Sequence, residues 1–217
     1  PHHHSSAASD VYKRQVVLHC DYNVAHTNVV LGLVESLVGL IPAGGGCKEM
    51  LWRWLQTPEG KENSEHASMK VFDLIGYAIT ATSPNEALPN QFFLEKDKVV
   101  INRDRQLSTA IDLLNNIEGG YEKPSQPKFN LGGSAVRDKM FEKLEALYNE
   151  NKILDHGLEV GKQIAFVLSG GNTNIDNELS EDDLYNLELE AFMRLIQMPK
   201  TQERIKHTLE TGKPLVN

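Results

Sequence analysis

The sequence predicts an α/β fold in which a first half of mixed strands and helices is followed by a second half that is helical throughout. Short runs rich in β-branched residues, which are typical of buried strands, start at Val16, Asn28 and Val99. A segment rich in glycine and proline, residues 118–127, then interrupts the chain. After it, apolar residues recur at the three- and four-residue spacing of amphipathic helices.

The first fifteen residues are set apart from this fold. Residues 1–4 look like a purification tag, and residues 5–15 look like the in-frame translation of a sequencing-library adapter. We therefore expect residues 1–15 to be disordered and the natural N-terminal part to be missing. We expect a partial α/β core at residues 16–120 and a helical C-terminal region at residues 121–217.

Composition and charge limit the kinds of function. The chain has 217 residues and 40% apolar content, enough for one hydrophobic core. A formal charge of −8 without a run of Lys and Arg argues against nucleic acid and anionic membrane surfaces as partners. Cys20 and Cys47 have no metal-binding spacing, which favours a reducing compartment. No apolar run reaches the roughly 18 residues of a membrane span, so we expect a cytoplasmic protein.

One carboxylate, Glu35, stands in the otherwise apolar residues 31–41. This run breaks at Pro42 and passes into three glycines, residues 44–46, which permit unusual backbone angles and close approach by other groups. Residues 47–56 show helical spacing, and the first N–H groups of that helix are expected to point back toward the Glu35 carboxylate. The combination indicates one half of an active site.

The glycine run does not match the phosphate-binding loop of nucleotide triphosphatases. That loop requires Gly-Lys followed by Ser or Thr, whereas Gly46 is followed by Cys47 and then Lys48. Binding of a nucleoside triphosphate is therefore not expected. We interpret Lys48 as a solvated helix residue.

Start and stop signals predict the remaining helices. Ser83, Pro84 and Glu86 form a helix start with a capping serine, a proline at the first position and a glutamate three residues after the serine. A second capping pattern begins at Ser180, and the glycines at 170–171 end a helix. The predicted helices cover residues 67–77, 84–89, 103–118, 136–149, 153–168, 180–195 and 199–209, with a strand at 99–101.

Two polar groups invite a metal-site hypothesis, and we favour a simpler interpretation of each. His19 and His26 have no cysteine or acid at ligand spacing beside them, and Asp21 is more simply a residue that satisfies a turn. Five acids crowd the helix after Ser180, where we expect a solvated acidic face whose first-turn charges suit the helix dipole. We therefore predict no metal site. The five acids are Glu181, Asp182, Asp183, Glu188 and Glu190.

Gly32-Leu-Val-Glu35, followed by Gly39-Leu-Ile-Pro-Ala-Gly-Gly-Gly46 and a helix, resembles the second signature of the enoyl-CoA hydratase/isomerase (crotonase) superfamily. The acid, the Gly-Leu-Ile-Pro and the glycine run occur in the order and spacing of that family. Other segments resemble one branch, the multifunctional fatty-acid oxidation proteins, in which an NAD-dependent 3-hydroxyacyl-CoA dehydrogenase precedes the hydratase domain. These segments are 83–87, 99–104, 120–121, 188–192 and 201–215, and the resemblance covers residue 16 to the C-terminus.

The resemblance implies a partial ClpP/crotonase-like core and the hydration of trans-2-enoyl-CoA thioesters in fatty-acid β-oxidation. In the family, two backbone N–H groups bind the thioester oxygen and two glutamates serve as base and acid. The later glutamate corresponds to Glu35. A backbone N–H that helps to hold the water corresponds to Ala43, where the family often has glycine.

The same resemblance implies that essential parts are absent. The earlier glutamate would fall at position 15, which is Gln15 here, and the oxyanion-hole loops belong to upstream segments. We therefore expect a C-terminal fragment that is nearly inactive alone and exposes apolar faces. Coenzyme A thioesters are the implied substrates, and NAD is expected only in the upstream domain, so we expect no bound cofactor or metal. The parent is expected to form a homo-oligomer or to join a β-oxidation complex.

Two other functions stay open. Isomerases of the superfamily move a proton with one carboxylate near the position of Glu35, so a Δ3,Δ2-enoyl-CoA isomerase is an alternative. The helices after Pro127 could instead form an assembly or covering region without chemistry. Glu35 could also simply satisfy backbone groups.

Overall fold

A computed structural model describes residues 16–172 and 177–217 of the chain. The tag-like and adapter-like segment predicted at residues 1–15 lies outside the described residues. Within the described ranges the fold is α/β and mostly helical, and its strands are only two or three residues long. None of the helices in these ranges combines the length and the hydropathy that a membrane span requires.

The first half alternates short strands and helices. Glu35–Val38 and Arg103–Arg105 are 3₁₀ helices. The strands are β1 (Val24–His26), β2 (Leu31–Gly32), β3 (Thr80–Ala81) and β4 (Lys98–Val100), and the helices are α1 (Gly46–Leu55), α2 (Pro58–Glu62), α3 (Ser64–Gly76), α4 (Pro84–Ala87) and α5 (Gln106–Ile117).

The second half consists of four long helices and one pair of strands within the described residues. They are β5 (Lys128–Phe129), α6 (Gly133–Asn149), α7 (Asp155–Leu168), β6 (Leu179–Ser180), α8 (Glu181–Ile196) and α9 (Pro199–Thr211).

The described strands form three separate pairs. β1 lies parallel to β4, with Val24 opposite Lys98 and His26 opposite Val100. β2 is antiparallel to β3, and β5 is antiparallel to β6. The parallel pair is joined through a crossover that contains α1 to α4, as parallel strands require a long connection.

The predictions of the first two strands were wrong. Residues 16–18 form a helical turn, which buries Leu18 and leaves Val16 66% exposed. Of the run 28–31, only Leu31 belongs to a strand. A short run of β-branched residues does not by itself distinguish a strand from a helical turn. The strand that pairs with β4 is Val24–His26, which lies between the two predicted runs.

The predicted helix ends were confirmed where side chains or glycines set them locally. Ser83 Oγ accepts a hydrogen bond from the Glu86 N–H at 3.3 Å, at the start of α4. Ser180 and Asp183 form a reciprocal capping box at the start of α8. Gly170 and Gly171 follow α7 with positive φ angles of 87° and 65°, as expected for a glycine helix stop.

One hydrophobic core cluster contains side chains from both sides of the 118–127 segment. Met50 of α1 and Ile75 of α3 belong to the same cluster as Met140 of α6 and Ile164 of α7. A buried hydrogen bond also crosses between the halves, from Ser68 Oγ to the Leu168 carbonyl oxygen at 3.0 Å. The division of the chain near residue 120 stays a prediction about its organisation.

Candidate functional site

Glu35 opens the 3₁₀ helix Glu35–Val38, between β2 and α1. The residue is only 6% exposed. Its backbone carbonyl accepts a hydrogen bond from the Leu40 N–H at 3.0 Å, which closes the turn. Gly39 ends the 3₁₀ helix in the left-handed region, with φ of 79°. The sequence-predicted carboxylate is therefore buried in a tight turn of defined geometry.

The turn that carries Glu35 is held from the C-terminal helices. Thr201 Oγ1 of α9 donates to the Gly39 carbonyl oxygen at 3.1 Å. His156 Nε2 of α7 lies 2.9 Å from the same Thr201 oxygen. Because the hydroxyl gives its proton to Gly39, Thr201 accepts from His156, which requires the Nε2–H tautomer. Arg204 Nη1 lies 3.5 Å from the Ser36 carbonyl oxygen.

The same turn explains why Gly39 is a glycine. A Cβ atom there would lie 2.8 Å from His156 Nε2 and 3.1 Å from Thr201 Oγ1. Burial lowers the pKa of His156, and the positive charges of Arg204 and Lys200 lower it further. The histidine is therefore a neutral donor at neutral pH. The hydrogen bonds of His156, Thr201 and Arg204 that hold this turn are called the clamp below. They were not predicted from the sequence, although Thr201 and Arg204 belong to the segment that resembles the fatty-acid oxidation branch.

The first half also anchors the turn. Ser36 Oγ donates to the Ile75 carbonyl oxygen, at the C-terminal end of α3, with a distance of 2.8 Å. This bond is buried and the serine is 9% exposed. Glu35 is thus flanked by a residue that is fixed to α3 through its side chain and to α9 through its carbonyl group.

The glycine run leads into α1 through Gly45, the residue before the helix. Gly45 has φ of 97°, and a Cβ atom there would lie 2.4 Å from His19 Nε2. The position therefore requires glycine both for its backbone angle and for the space beside His19. The prediction of a helix after the glycine run was confirmed, with its start at Gly46.

The first N–H groups of α1 face a carboxylate, but it is Glu188 rather than Glu35. Gly45 N–H donates to Glu188 Oε2 at 2.6 Å, and Lys48 N–H donates to Glu188 Oε1 at 2.8 Å. The prediction that these N–H groups point toward Glu35 was therefore wrong for Gly45 and Lys48, whose N–H groups donate to Glu188. A carboxylate at this position satisfies otherwise unpaired helix N–H groups and suits the helix dipole.

The prediction of a solvated acidic face on α8 was wrong for Glu188, which is 0% exposed. Burial raises its pKa to about 7, against the lowering effect of the N–H donors of Gly45 and Lys48. The sequence held a signal for this placement. Glu188 occupies a stripe of helical spacing with three buried apolar residues, Leu184, Ala191 and Leu195.

Lys48 is likewise buried, at 0% exposure, so its interpretation as a solvated residue was wrong. Its Nζ forms ion pairs with Glu49 and with Glu181 of α8. It also lies 5.0 Å from the centre of the Tyr185 ring. Burial would lower the pKa of Lys48, but the hydrogen bonds to Glu181 and Glu49 outweigh it and raise that pKa above its ordinary value.

The Cys47 thiol is affected by the charges of two buried carboxylates, Glu188 and Glu35. Burial raises the pKa of its thiol well above the ordinary value, and the charges of Glu188 and Glu35 raise it further. Both carboxylates therefore act on the first turn of α1. A thiol with such a pKa stays protonated at neutral pH and is a poor nucleophile.

Ala43, the predicted water-holding donor, follows Pro42 in the turn before the glycines. Its N–H donates to the Ile41 carbonyl oxygen at 2.8 Å, across the proline. A bond to a water molecule would have to share or replace this short-range bond. The geometry at Ala43 is therefore a closed turn.

A cavity of about 850 Å³ lies beside α1. Its walls include His19, Glu49, Trp52 and Arg53, and Glu35 is not among its lining residues. Arg53 is held inside by hydrogen bonds to three carbonyl groups, those of Leu18, Gln91 and Phe92. The buried Glu35 therefore does not border this cavity.

The other polar residues that the sequence singled out have structural partners. Asp21 accepts a hydrogen bond from the Tyr121 hydroxyl at 2.6 Å. His26 lies 2.9 Å from the Ile101 carbonyl oxygen through Nε2, and its Nδ1 accepts from the Asn28 N–H. Across residues 16–172 and 177–217, no group of three or more His, Cys, Asp or Glu side chains is arranged to hold a metal ion.

Two curated proteins are similar to this chain. A Bacillus subtilis protein named "Probable 3-hydroxyacyl-CoA dehydrogenase" is 33% identical over 194 residues, which are 89% of this chain and 24% of that protein. A Rickettsia felis protein named "Putative fatty acid oxidation complex trifunctional enzyme" is 27% identical over 198 residues, 88% of this chain and 23% of that protein. The chain thus spans about a quarter of the length of both relatives.

No protein-family model matches the chain, and no solved structure matches it. The similarity therefore connects the chain to part of a protein named as a dehydrogenase and to part of one named for fatty-acid oxidation. Neither name mentions a hydratase or an isomerase.

Proposed function

We propose that this chain is the C-terminal portion of a longer fatty-acid oxidation enzyme, in which Glu35 transfers a proton during the hydration of trans-2-enoyl-CoA thioesters. The names of the two relatives support the general pathway. The residue pattern 32–46, with its resemblance to the crotonase superfamily, supports the hydratase chemistry. An NAD-dependent 3-hydroxyacyl-CoA dehydrogenase is proposed for another part of the same enzyme.

The placement of Glu35 is the observation that carries the proposal. A general acid or base needs a fixed position, because a displacement of about 1 Å costs much of the rate. Glu35 begins a turn that α3 fixes through Ser36 and that α7 and α9 fix through Gly39. These hydrogen bonds hold the backbone on both sides of Glu35, which gives its side chain a fixed starting point.

Glu35 and Ala43 are proposed to have different roles in the reaction. In hydration the Glu35 carboxyl group either takes a proton from the attacking water, as base, or delivers one to the α-carbon of the thioester, as acid. The Ala43 N–H is proposed to hold the attacking water, for which its bond to Ile41 has to open or to be shared. The second glutamate and the oxyanion donors are proposed to come from upstream segments.

The 217-residue chain alone is therefore proposed to have little activity. A missing general acid or base costs about 10²–10⁴-fold in rate, and a missing oxyanion donor costs about 10²–10³-fold. Hydration of crotonyl-CoA, followed by the loss of its absorbance, measures this directly. Hydration by the 217-residue chain at the rate of the longer enzyme would contradict the proposal.

The role of Glu35 is tested in the longer enzyme that contains this chain. Glu35→Gln keeps the size of the side chain and is expected to lower kcat by about 10²–10⁴-fold with little change in KM. Glu142→Gln, at an exposed position on α6, is the matched control and should leave kcat unchanged. Unchanged kcat in Glu35→Gln would rule out Glu35 as an acid or base.

The isomerase alternative is separated by the product. The longer enzyme is incubated with a 3-enoyl-CoA and the products are analysed for a 2-enoyl-CoA. Isomerisation without hydration, lost in Glu35→Gln, would assign the Δ3,Δ2-isomerase in place of the hydratase.

A further inference from the structure

The helix α5 presents an unusual apolar face to solvent. None of its residues is buried. Leu107 is 72% exposed, Ile111 is 48% exposed and Leu114 is 62% exposed. Their spacing of four and three residues places them on one stripe of the helix. Since an exposed stripe of three large apolar residues is unfavourable in water, it points to a binding surface.

The body of the chain is contacted by a neighbouring stripe of α5. Ala110, Leu113 and Ile117 are half-buried. Gln106 Nε2 also donates to the Val24 carbonyl oxygen of β1 at 2.8 Å, which anchors the start of the helix. The attachment of α5 to the chain therefore does not use the exposed stripe.

Opposite charges stand at the two ends of the exposed stripe. Arg103 lies in the 3₁₀ helix that leads into α5 and lines the same cavity as Leu107 and Leu114, and Glu118 follows Leu114 by four residues at the end of the helix. Both are exposed, and neither side chain bonds to another described residue. Their signs oppose the helix dipole, which favours negative charge at the N-terminus and positive charge at the C-terminus. Arg103 and Glu118 therefore do not stabilise α5 itself through its dipole.

The stripe is complementary to itself when it is reversed. In an antiparallel pair of α5 helices, Arg103 of one copy faces Glu118 of the other, and Leu107 faces Leu114. The twofold axis passes between Ala110 and Ile111. One interface then contains the Arg103–Glu118 ion pair twice, once at each end, and places the apolar residues between the two pairs, as an isologous contact requires.

The surface also has a recess for the side chains of a partner. Leu107 and Leu114 line a cavity of about 570 Å³ that lies between the exposed stripe and the half-buried stripe, since Ala110, Leu113 and Ile117 line it too. Apolar anchors that fill a recess contribute most of the binding energy of typical interfaces.

We propose that two copies of this chain associate through their α5 helices, antiparallel about a twofold axis, with Arg103 and Glu118 as reciprocal ion pairs. This association is independent of the reaction proposed for Glu35. A helix pair of this length buries less surface than a standard interface, so its dissociation constant is expected in the micromolar range or above.

Sedimentation velocity of the 217-residue chain tests the association. The mass is expected to rise from one copy to two between about 1 µM and about 1 mM protein. Leu107→Lys and Leu114→Lys should each keep the chain monomeric over this range. Their circular dichroism should be unchanged, because neither side chain is buried in the single copy. A chain that stays monomeric throughout, or a dimer unaffected by these substitutions, overturns the proposal.

Charge exchange tests the antiparallel pairing itself. Arg103→Glu or Glu118→Arg alone replaces two attractive pairs with two repulsive ones and should weaken the dimer by about tenfold. A mixture of the two variants should restore association, since every introduced charge then faces an opposite one. The double variant R103E/E118R should also form its own dimer. Single variants that associate normally, or that fail to recover when mixed, overturn this arrangement.

Discussion

Glu188 accepts a hydrogen bond from the N–H of Gly45 at 2.6 Å, although the two residues are 143 positions apart in the chain. Glycine has no side chain with which to cap α1, and a carboxylate from α8 takes that role. The same carboxylate accepts the Lys48 N–H. The start of α1, which follows the turn of Glu35, therefore depends on a helix of the second half.

Removal of this carboxylate should destabilise the fold. Glu188→Ala leaves the buried N–H groups of Gly45 and Lys48 without an acceptor, at an expected cost of about 2–4 kcal/mol in the free energy of unfolding at pH 7. Urea unfolding measures the difference. Glu190→Ala, at an exposed position on the same helix, is the control and should change stability by no more than about 0.5 kcal/mol. Equal effects of the two substitutions would contradict this role of Glu188.

The raised pKa of Glu188 should make stability fall as the pH rises. The folded protein holds the Glu188 proton up to a pKa of about 7, whereas the unfolded chain releases it near the ordinary value of 4.5. Between these two pH values the folded state binds more protons than the unfolded state. The stability that results from this difference is therefore fully present below pH 4.5 and is lost as the pH rises to about 7. Its size is about 3 kcal/mol.

Glu188→Gln isolates this contribution, because glutamine does not titrate. The loss of unfolding free energy between pH 5 and pH 8 should be smaller in the variant than in the unsubstituted chain. The same comparison cancels His156, whose lowered pKa acts in the opposite direction and removes stability as the pH falls below 6.5. Parallel pH profiles for the two proteins would show that Glu188 titrates normally.

The clamp on the Glu35 turn can be tested at Thr201. Thr201→Val preserves the shape of the side chain but removes both hydrogen bonds, to Gly39 and from His156, in a fully buried site. We expect a loss of about 1–3 kcal/mol in unfolding free energy by chemical denaturation. Thr211→Val, exposed at the end of the same helix, should cost less than about 0.5 kcal/mol. A Thr201 variant as stable as its control would exclude the clamp.

The two thiols should differ strongly in reactivity. Cys20 is exposed, whereas Cys47 is buried with a raised pKa. Ellman's reagent should therefore titrate one thiol rapidly in the native chain and two in denaturant. In Cys20→Ser the rapid native reaction should disappear. Rapid modification of Cys47 in that variant would mean that the first turn of α1 opens readily.

Local signals in the sequence were sufficient for several parts of the fold. Ser83 with Glu86, Ser180 with Asp183 and the glycines after α7 act within a few residues, so their helix ends could be predicted. Very short strands lack such signals, because their position depends on which segment pairs with which. Val24–His26 was recognised only by its pairing with β4.

The environment of the candidate site could be predicted only in part. Glu35 stood out as the single acid of an apolar run, and it is buried as such a run suggests. Lys48 and Glu188 were placed on the surface because charge normally implies exposure. Their burial results from a contact between residues 140 positions apart, which no local pattern reports. The stripe of Leu184, Ala191 and Leu195 around Glu188 was the available signal.

The parallel pairing of β1 with β4 has a consequence for synthesis of the chain. Asn23, next to β1, is bonded to Asp97, 74 positions later. Ribosomes add about 5–20 residues per second, so β1 waits roughly 4–15 seconds for its partner strand to be made. Closing so long a loop also carries an entropic cost that local helices avoid. During that interval β1 lacks its partner strand, so its backbone N–H and C=O groups are open to pairing with another chain.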